Sequence, residues 1–99
     1  MIQIIVLLEI GDLDSFREFE MKAAGIMKKH HGKIISAFSP NKEVSTDDNI
    51  GEIHVLTFPD LRAFRNYQAD EDLKNMKELR KKAIISTKIY VSEQFTSYE

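Results

Sequence analysis

The order of strand-like and helix-like segments leaves this chain few folds to adopt. Ile2 to Ile10, Lys33 to Ser39, Glu52 to Phe58 and Ile84 to Phe95 are rich in β-branched and aromatic residues and read as strands. The stretches between the first and second strands and between the third and fourth read as helical. A β-α-β-β-α-β chain is the ferredoxin-like pattern: an α+β sandwich of one antiparallel four-stranded sheet with both helices on one face. Its other face is left uncovered, and any function is expected to begin there. At 99 residues the chain is expected to be one domain over residues 1–99, burying roughly 65% of its unfolded surface.

Composition narrows the chemistry. There is no cysteine, which rules out disulfides and thiolate metal sites. A formal charge of −2, from 14 basic and 16 acidic side chains, provides no electrostatic footprint for nucleic acid or an anionic membrane. The apolar run Ile2 to Leu8 is too short to span a bilayer and follows no basic leader, so it reads as a buried strand. A soluble, cytoplasmic protein is the expectation. The four glycines form no phosphate loop, nucleophile elbow or dinucleotide fingerprint. His30 and His31 are adjacent on a helix and point about 100° apart, and no HExxH spacing exists, so neither a metal nor a cofactor is expected.

The first helix has the clearest pattern. Leu13, Phe16, Phe19, Ala23, Ile26, Met27 and His30 make one apolar stripe, with Asp12 or Asp14 able to cap its start. Gly32 is expected to take the left-handed conformation that ends it. In the second helical region Asp60 and Asp70 are both cap candidates, which predicts two short helices broken at Ala69-Asp70. Between the second and third strands, Pro40 to Gly51 reads as an exposed loop, with turn chemistry in Pro40-Asn41 and in Ser45-Thr46-Asp47-Asp48-Asn49.

Alternate strand residues face opposite sides of a sheet. Ile2, Ile4, Val6, Leu8, Ile53, Val55, Ile85, Ile89 and Val91 form an almost purely aliphatic set, assigned to the helix side. The opposite set contains Gln3, Ile5, Leu7, Glu9, Glu52, His54, Leu56, Phe58, Lys88 and Tyr90, with Ser36 and Phe38. That mixed face is too apolar to lie open in water. A homodimer would cover it by closing two sheets into a barrel, whose lumen would be either a small-molecule site or a filled core.

Several runs carry a family resemblance. Phe19-Glu20, Ile26-Met27, His31-Gly32, Glu52-Ile53-His54-Val55, Phe58-Pro59-Asp60, Ala63-Phe64 with Tyr67 and Asp70, Leu79-Arg80 and Ala83-Ile84 together resemble the dimeric α/β-barrel proteins, above all the domain-of-unknown-function family thirteen-thirty. The resemblance covers nearly the whole chain and implies a ferredoxin-like protomer in a dimer, with no agreed reaction. The wider superfamily includes cofactor-independent monooxygenases, haem-degrading enzymes, chlorite dismutase-like proteins and muconolactone isomerases. This chain departs from the monooxygenase pattern in having no tryptophan, and none of its residues matches a haem-ligand motif. Where the family often carries two glycines after the helix-ending histidine, this chain has His31-Gly32-Lys33.

His54 is the candidate catalytic residue, because an imidazole facing a lumen suits proton transfer to a bound ligand. The plainer reading is a core histidine bonded to Glu20, Glu52 or a backbone carbonyl. A Glu20–His54 pair conflicts with the facing assignment and is not expected. Tyr90, Lys88, Leu56, Phe58 and Leu7 are the candidate ligand-binding residues, with His54, Tyr90 and Lys88 as a lumen triad. Arg62, Arg65 and Arg80 could hold an anionic group at the barrel mouth. Three readings stay open: a protein binding a small apolar or aromatic molecule in a lumen or cleft, a cofactor-independent isomerase or monooxygenase with His54 as proton shuttle, and a structural or interaction dimer.

Overall fold

The computed structural model describes residues 1–46 and 49–98. Its elements are β1 (Ile2–Ile10), α1 (Leu13–Lys29), β2 (Lys33–Phe38), β3 (Glu52–Phe58), α2 (Leu61–Gln68), α3 (Glu71–Lys74), α4 (Lys77–Ala83) and β4 (Ile84–Ser92). The strands form one sheet in the order β2-β3-β1-β4, every pair antiparallel, which is the ferredoxin-like arrangement. Among the described residues no helix is long and apolar enough to cross a membrane. Of the expected loop turn, Asp47 and Asp48 lie outside the described residues.

The strand register corrects the expected faces of the sheet. Residues directly opposite each other in an antiparallel pair share a face. Phe58 lies opposite Ile2, Leu56 opposite Ile4, and His54 opposite Val6. His54, Leu56 and Phe58 are therefore on the helix side, all buried, while Ile53 and Val55 take the uncovered face. This reverses the expectation for β3. On β4, Ile89 and Val91 pair with Val6 and Ile4 on the helix side as expected, and Lys88 and Tyr90 pair with Leu7 and Ile5 on the uncovered face. A bulge beside Ile10 turns Ile84 inward and leaves Ile85 65% exposed, again opposite to the expectation. β4 ends at Ser92, short of Phe95, because Ser92 pairs with Gln3 and almost no β1 remains beyond it.

Helix ends follow the local chemistry. Asp12 caps α1 by accepting from Ser15 N–H at 2.9 Å, Asp60 caps α2 through Ala63 N–H, and Asp70 caps α3 through Asp72 N–H. The second helical region thus breaks into three pieces, not two, and Met76 stands at the N-cap of α4 without a side-chain cap bond. The Asp70 carboxylate also receives His30 Nε2 at 2.7 Å and Lys29 Nζ at 3.1 Å. These bonds, His30 foremost, hold its pKa down to about 2 and tie the end of α1 to the start of α3. Of the α1 stripe, Phe16, Phe19, Ala23 and Met27 are buried, whereas Leu13 remains half exposed at the first turn.

Two clusters make up the core. One gathers Ile2, Ile4, Met27, Leu56, Phe58 and Phe64; the other gathers Leu8, Phe16, Phe19, Ala23, Ala83 and Ile84. Val6 packs against both. In the first cluster Phe58 is clamped by Phe64 and Tyr67, with ring centroids 5.3 and 5.5 Å away.

The turn after α1 also differs from expectation. His31, at φ 62°, takes the left-handed conformation, and no glycine has a positive φ among the described residues. Gly32 serves close packing instead: a Cβ there would overlap the Phe58 ring edge and lie 2.7 Å from Met27 Cγ. The left-handed conformation costs an L-residue roughly 1–2 kcal/mol. His31→Gly is expected to stabilise the protein by about 1 kcal/mol, after the entropy of the added glycine is charged against it. Gly32→Ala should destabilise it by about 1–3 kcal/mol, since the clamped Phe58 ring has nowhere to move. Urea denaturation of both variants checks the opposite signs.

Candidate functional site

Between the two core clusters, and under α1 and the α2–α4 region, lies a cavity of about 530 Å³. Its buried wall includes Phe19, Met27, His54, Leu56 and Phe64, and its exposed rim includes Gln68, Lys74, Lys77, Arg80 and Ile89. The opening therefore lies between the α3–α4 segment and the edge strand β4. This size and mostly apolar lining fall within the range of small-molecule pockets.

His54 stands on the cavity wall with 4% of its surface exposed. Its Nε2 lies 2.7 Å from Glu52 Oε1, so the Glu52 carboxylate accepts from Nε2–H and sets the tautomer. Nδ1 then faces Glu20 Oε2 at 3.6 Å. Glu20 follows Phe19 on α1 and reaches the cavity at the edge of the apolar stripe. Burial raises its pKa above the ordinary carboxylate value, helped by the nearby Glu52 charge and opposed by His54 and Arg80. Tyr67 joins the same wall, its phenol pushed up to about 12 by burial and by the Glu20 charge, so it remains a neutral donor. Arg80 donates to Thr87 Oγ1 at 3.3 Å.

The expected site is thus divided. Of the candidate ligand-binding residues, Leu56 lines the cavity with His54, whereas Phe58 is packed in the core at 1% exposure and does not line it. Leu7, Lys88 and Tyr90 sit on the opposite face of the sheet, so a His54–Tyr90–Lys88 triad does not form within the protomer. The Glu20–His54 proximity, set aside on the mistaken facing of β3, is present. Of the three candidate arginines only Arg80 reaches the cavity. The sequence pattern does not single out Tyr67, Lys74 or Lys77 as site residues. The signal available for these was their spacing: 74, 77 and 80 follow at three-residue steps beside the apolar Leu73, Met76 and Leu79.

The sequence profile of the family described as Domain of unknown function (DUF1330) matches residues 3–94. The chain belongs to this family. No curated protein matches it in sequence. Among solved structures, a protein of unknown function from Rhodopseudomonas palustris superposes with a TM-score of 0.80 at 10% identity, covering 97% of this chain and 83% of that one. The cofactor-independent oxygenase SnoaB from Streptomyces nogalater gives 0.70 at 10% identity, with 98% and 95% covered. An uncharacterized NIPSNAP domain protein from Burkholderia xenovorans gives 0.69 at 10% identity, with 96% and 95% covered. At these identities the likeness establishes the fold alone. In this DUF1330 chain the chemistry must be read from its own side chains.

Glu20 provides a direct check of the site's electrostatics. Its folded-state pKa is raised, so the protonated form is favoured in the fold, and that contribution is lost as pH rises through the folded value. Glu20→Gln is expected to raise Tm at pH 7.5, with the gain fading by about pH 4, where the carboxyl protonates in the unfolded chain as well. Thermal melts across that pH range decide it; an equal change in Tm at both ends would mean that Glu20 carries no buried charge.

Proposed function

We propose that this DUF1330 protein binds a small, largely apolar molecule in the helix-side cavity of each protomer and that two protomers associate through their uncovered sheet faces. The observation that carries the binding reading is the cavity itself: about 530 Å³, walled by Phe19, Met27, Leu56 and Phe64, with His54, Glu20, Tyr67 and Thr87 as the polar groups of its wall and Gln68, Lys74, Lys77 and Arg80 at its rim. An apolar core of this size ordinarily closes to native packing density, and a void between two clusters leaves dispersion contacts unmade unless something fills it.

A second reading, a cofactor-independent enzyme, is favoured by one geometric fact. The His54 ring is oriented by Glu52 on one nitrogen and faces Glu20 with the other, which is the arrangement of an oriented base beside a second proton-carrying group. Native mass spectrometry and thermal shift against a panel of neutral aromatic compounds test both readings. Ile89 is 44% exposed at the rim, so Ile89→Trp fills the opening without overpacking the core and should abolish the shift. His54→Gln should leave binding within a few fold while lowering any turnover of the bound compound by roughly 10²-fold or more.

The homodimer is supported by the rows across the uncovered face. Tyr90, Ile5, Val55 and Ser36 lie side by side, and the next row holds Lys88, Leu7, Ile53 and Phe38. Ile5, Phe38 and Tyr90 are 42%, 48% and 58% exposed, a contiguous apolar surface of the kind that marks an interface. Ile5→Lys puts a charge in the middle of that surface. Light scattering at tens of micromolar should find a dimer for the wild type and a monomer for Ile5→Lys; a monomeric wild type would remove the dimer reading.

A further inference from the structure

The cavity's charge is uneven, and this bears on what enters it. Its inner wall is apolar apart from Glu20, His54, Tyr67 and Thr87, but its exposed rim carries Lys74, Lys77 and Arg80. Three cations against one lining carboxylate give the cavity a formal charge of +2 with Glu20 ionised, in a chain whose own net charge is −2. Elsewhere lysines near these helices are matched by acids: Lys29 with Asp70 and Asp72, and Lys81 with Glu78. Among the described residues Lys74 and Lys77 have no carboxylate partner, and Arg80 bonds a threonine hydroxyl.

We propose that the ligand is an apolar carboxylate, its body lodged against Leu56, Phe64 and Met27 and its carboxylate held at the rim by Arg80 and Lys77. This rests on the binding reading above and adds the ligand's chemical class. Arg80 and Lys77 stand three residues apart on α4 and so share a helix face, close enough for one carboxylate to reach both. A guanidinium matches a carboxylate with two parallel donors, and beside an apolar wall that pairing is less screened than on open surface. Glu20 is the one lining carboxylate that opposes it, and its charge faces His54 at 3.6 Å as well as Arg80. The apolar walls select for a carbon body, which inorganic anions lack.

Isothermal titration of the full chain with 2-naphthoate and with its neutral isostere 2-naphthamide, in low salt, tests the assignment. The naphthoate should bind roughly tenfold or more tightly than the amide. That preference should shrink severalfold at 0.5 M salt and fall to within about twofold in Lys77→Gln/Arg80→Gln. Ile89→Trp should weaken both compounds together. Equal affinities in the wild type, both lost in Ile89→Trp, would overturn the carboxylate inference while leaving the cavity as a binding site. A preference retained in the double variant would overturn the role given to Arg80 and Lys77. If neither compound binds at millimolar concentration, both the inference and the binding reading fall.

Discussion

The pairing of β1 with β3 is the constraint on which the rest of this structure depends. Side chains alternate with a period of two, so a shift of one residue would exchange the two faces of β3 completely. The observed register sets Phe58 opposite Ile2 and Leu56 opposite Ile4, which buries the largest apolar side chains of β3 under the helices. His54 and Glu52 are carried to the same side with them. A buried imidazole needs a partner: Glu52 on its own strand accepts from Nε2–H, and Glu20 descending from α1 lies 3.6 Å from Nδ1. No described buried side-chain polar atom lacks a hydrogen-bond partner, so the polar wall is built without an orphaned group.

The cavity follows from how the second helical region is cut. One long helix could press a continuous apolar face onto the sheet. Here α2 packs Phe64 and Tyr67 on Phe58, while α4 packs Ala83 among the residues around Leu8 and Phe16. Between these anchors α3 has no buried residue. Val6 packs against both clusters, and the space between them opens toward the β4 edge, where Ile89 and Val91 face the helix side yet remain 44% and 41% exposed. The hydrogen bond of Asp70 with His30 and its ion pair with Lys29 hold the break against the end of α1.

Much of this was legible in the chain and one decisive part was not. Strand and helix positions, the Asp12, Asp60 and Asp70 caps and the α1 stripe all follow from local chemistry. The facing of β3 was misread because both of its residue sets are apolar. Glu52 and His54 made one set look like the solvent side, while Ile53 and Val55 looked like core. Counting polar residues favours one face, but the volume of Leu56 and Phe58 decides for the other, since burying Phe and Leu gains more than burying Ile and Val at a thinly covered face. The same error hid the Glu20–His54 proximity and grouped His54 with Tyr90 and Lys88. At the α1 terminus glycine was assigned the left-handed position on propensity, yet Gly32 is needed where a side chain would strike Phe58, and His31 takes the strained conformation instead.

The sequence alone carries the order of the strands, the first helix, the antiparallel ferredoxin-like sheet and the family, because periodicity, capping and short connections act over a few residues at a time. The tertiary structure alone decided which face of β3 is buried, that a cavity separates the two core clusters, and that Glu20, His54, Tyr67 and Arg80 converge on it. Those outcomes depend on which large side chains can be packed together across elements distant in the chain. No single segment carries that information in its own pattern.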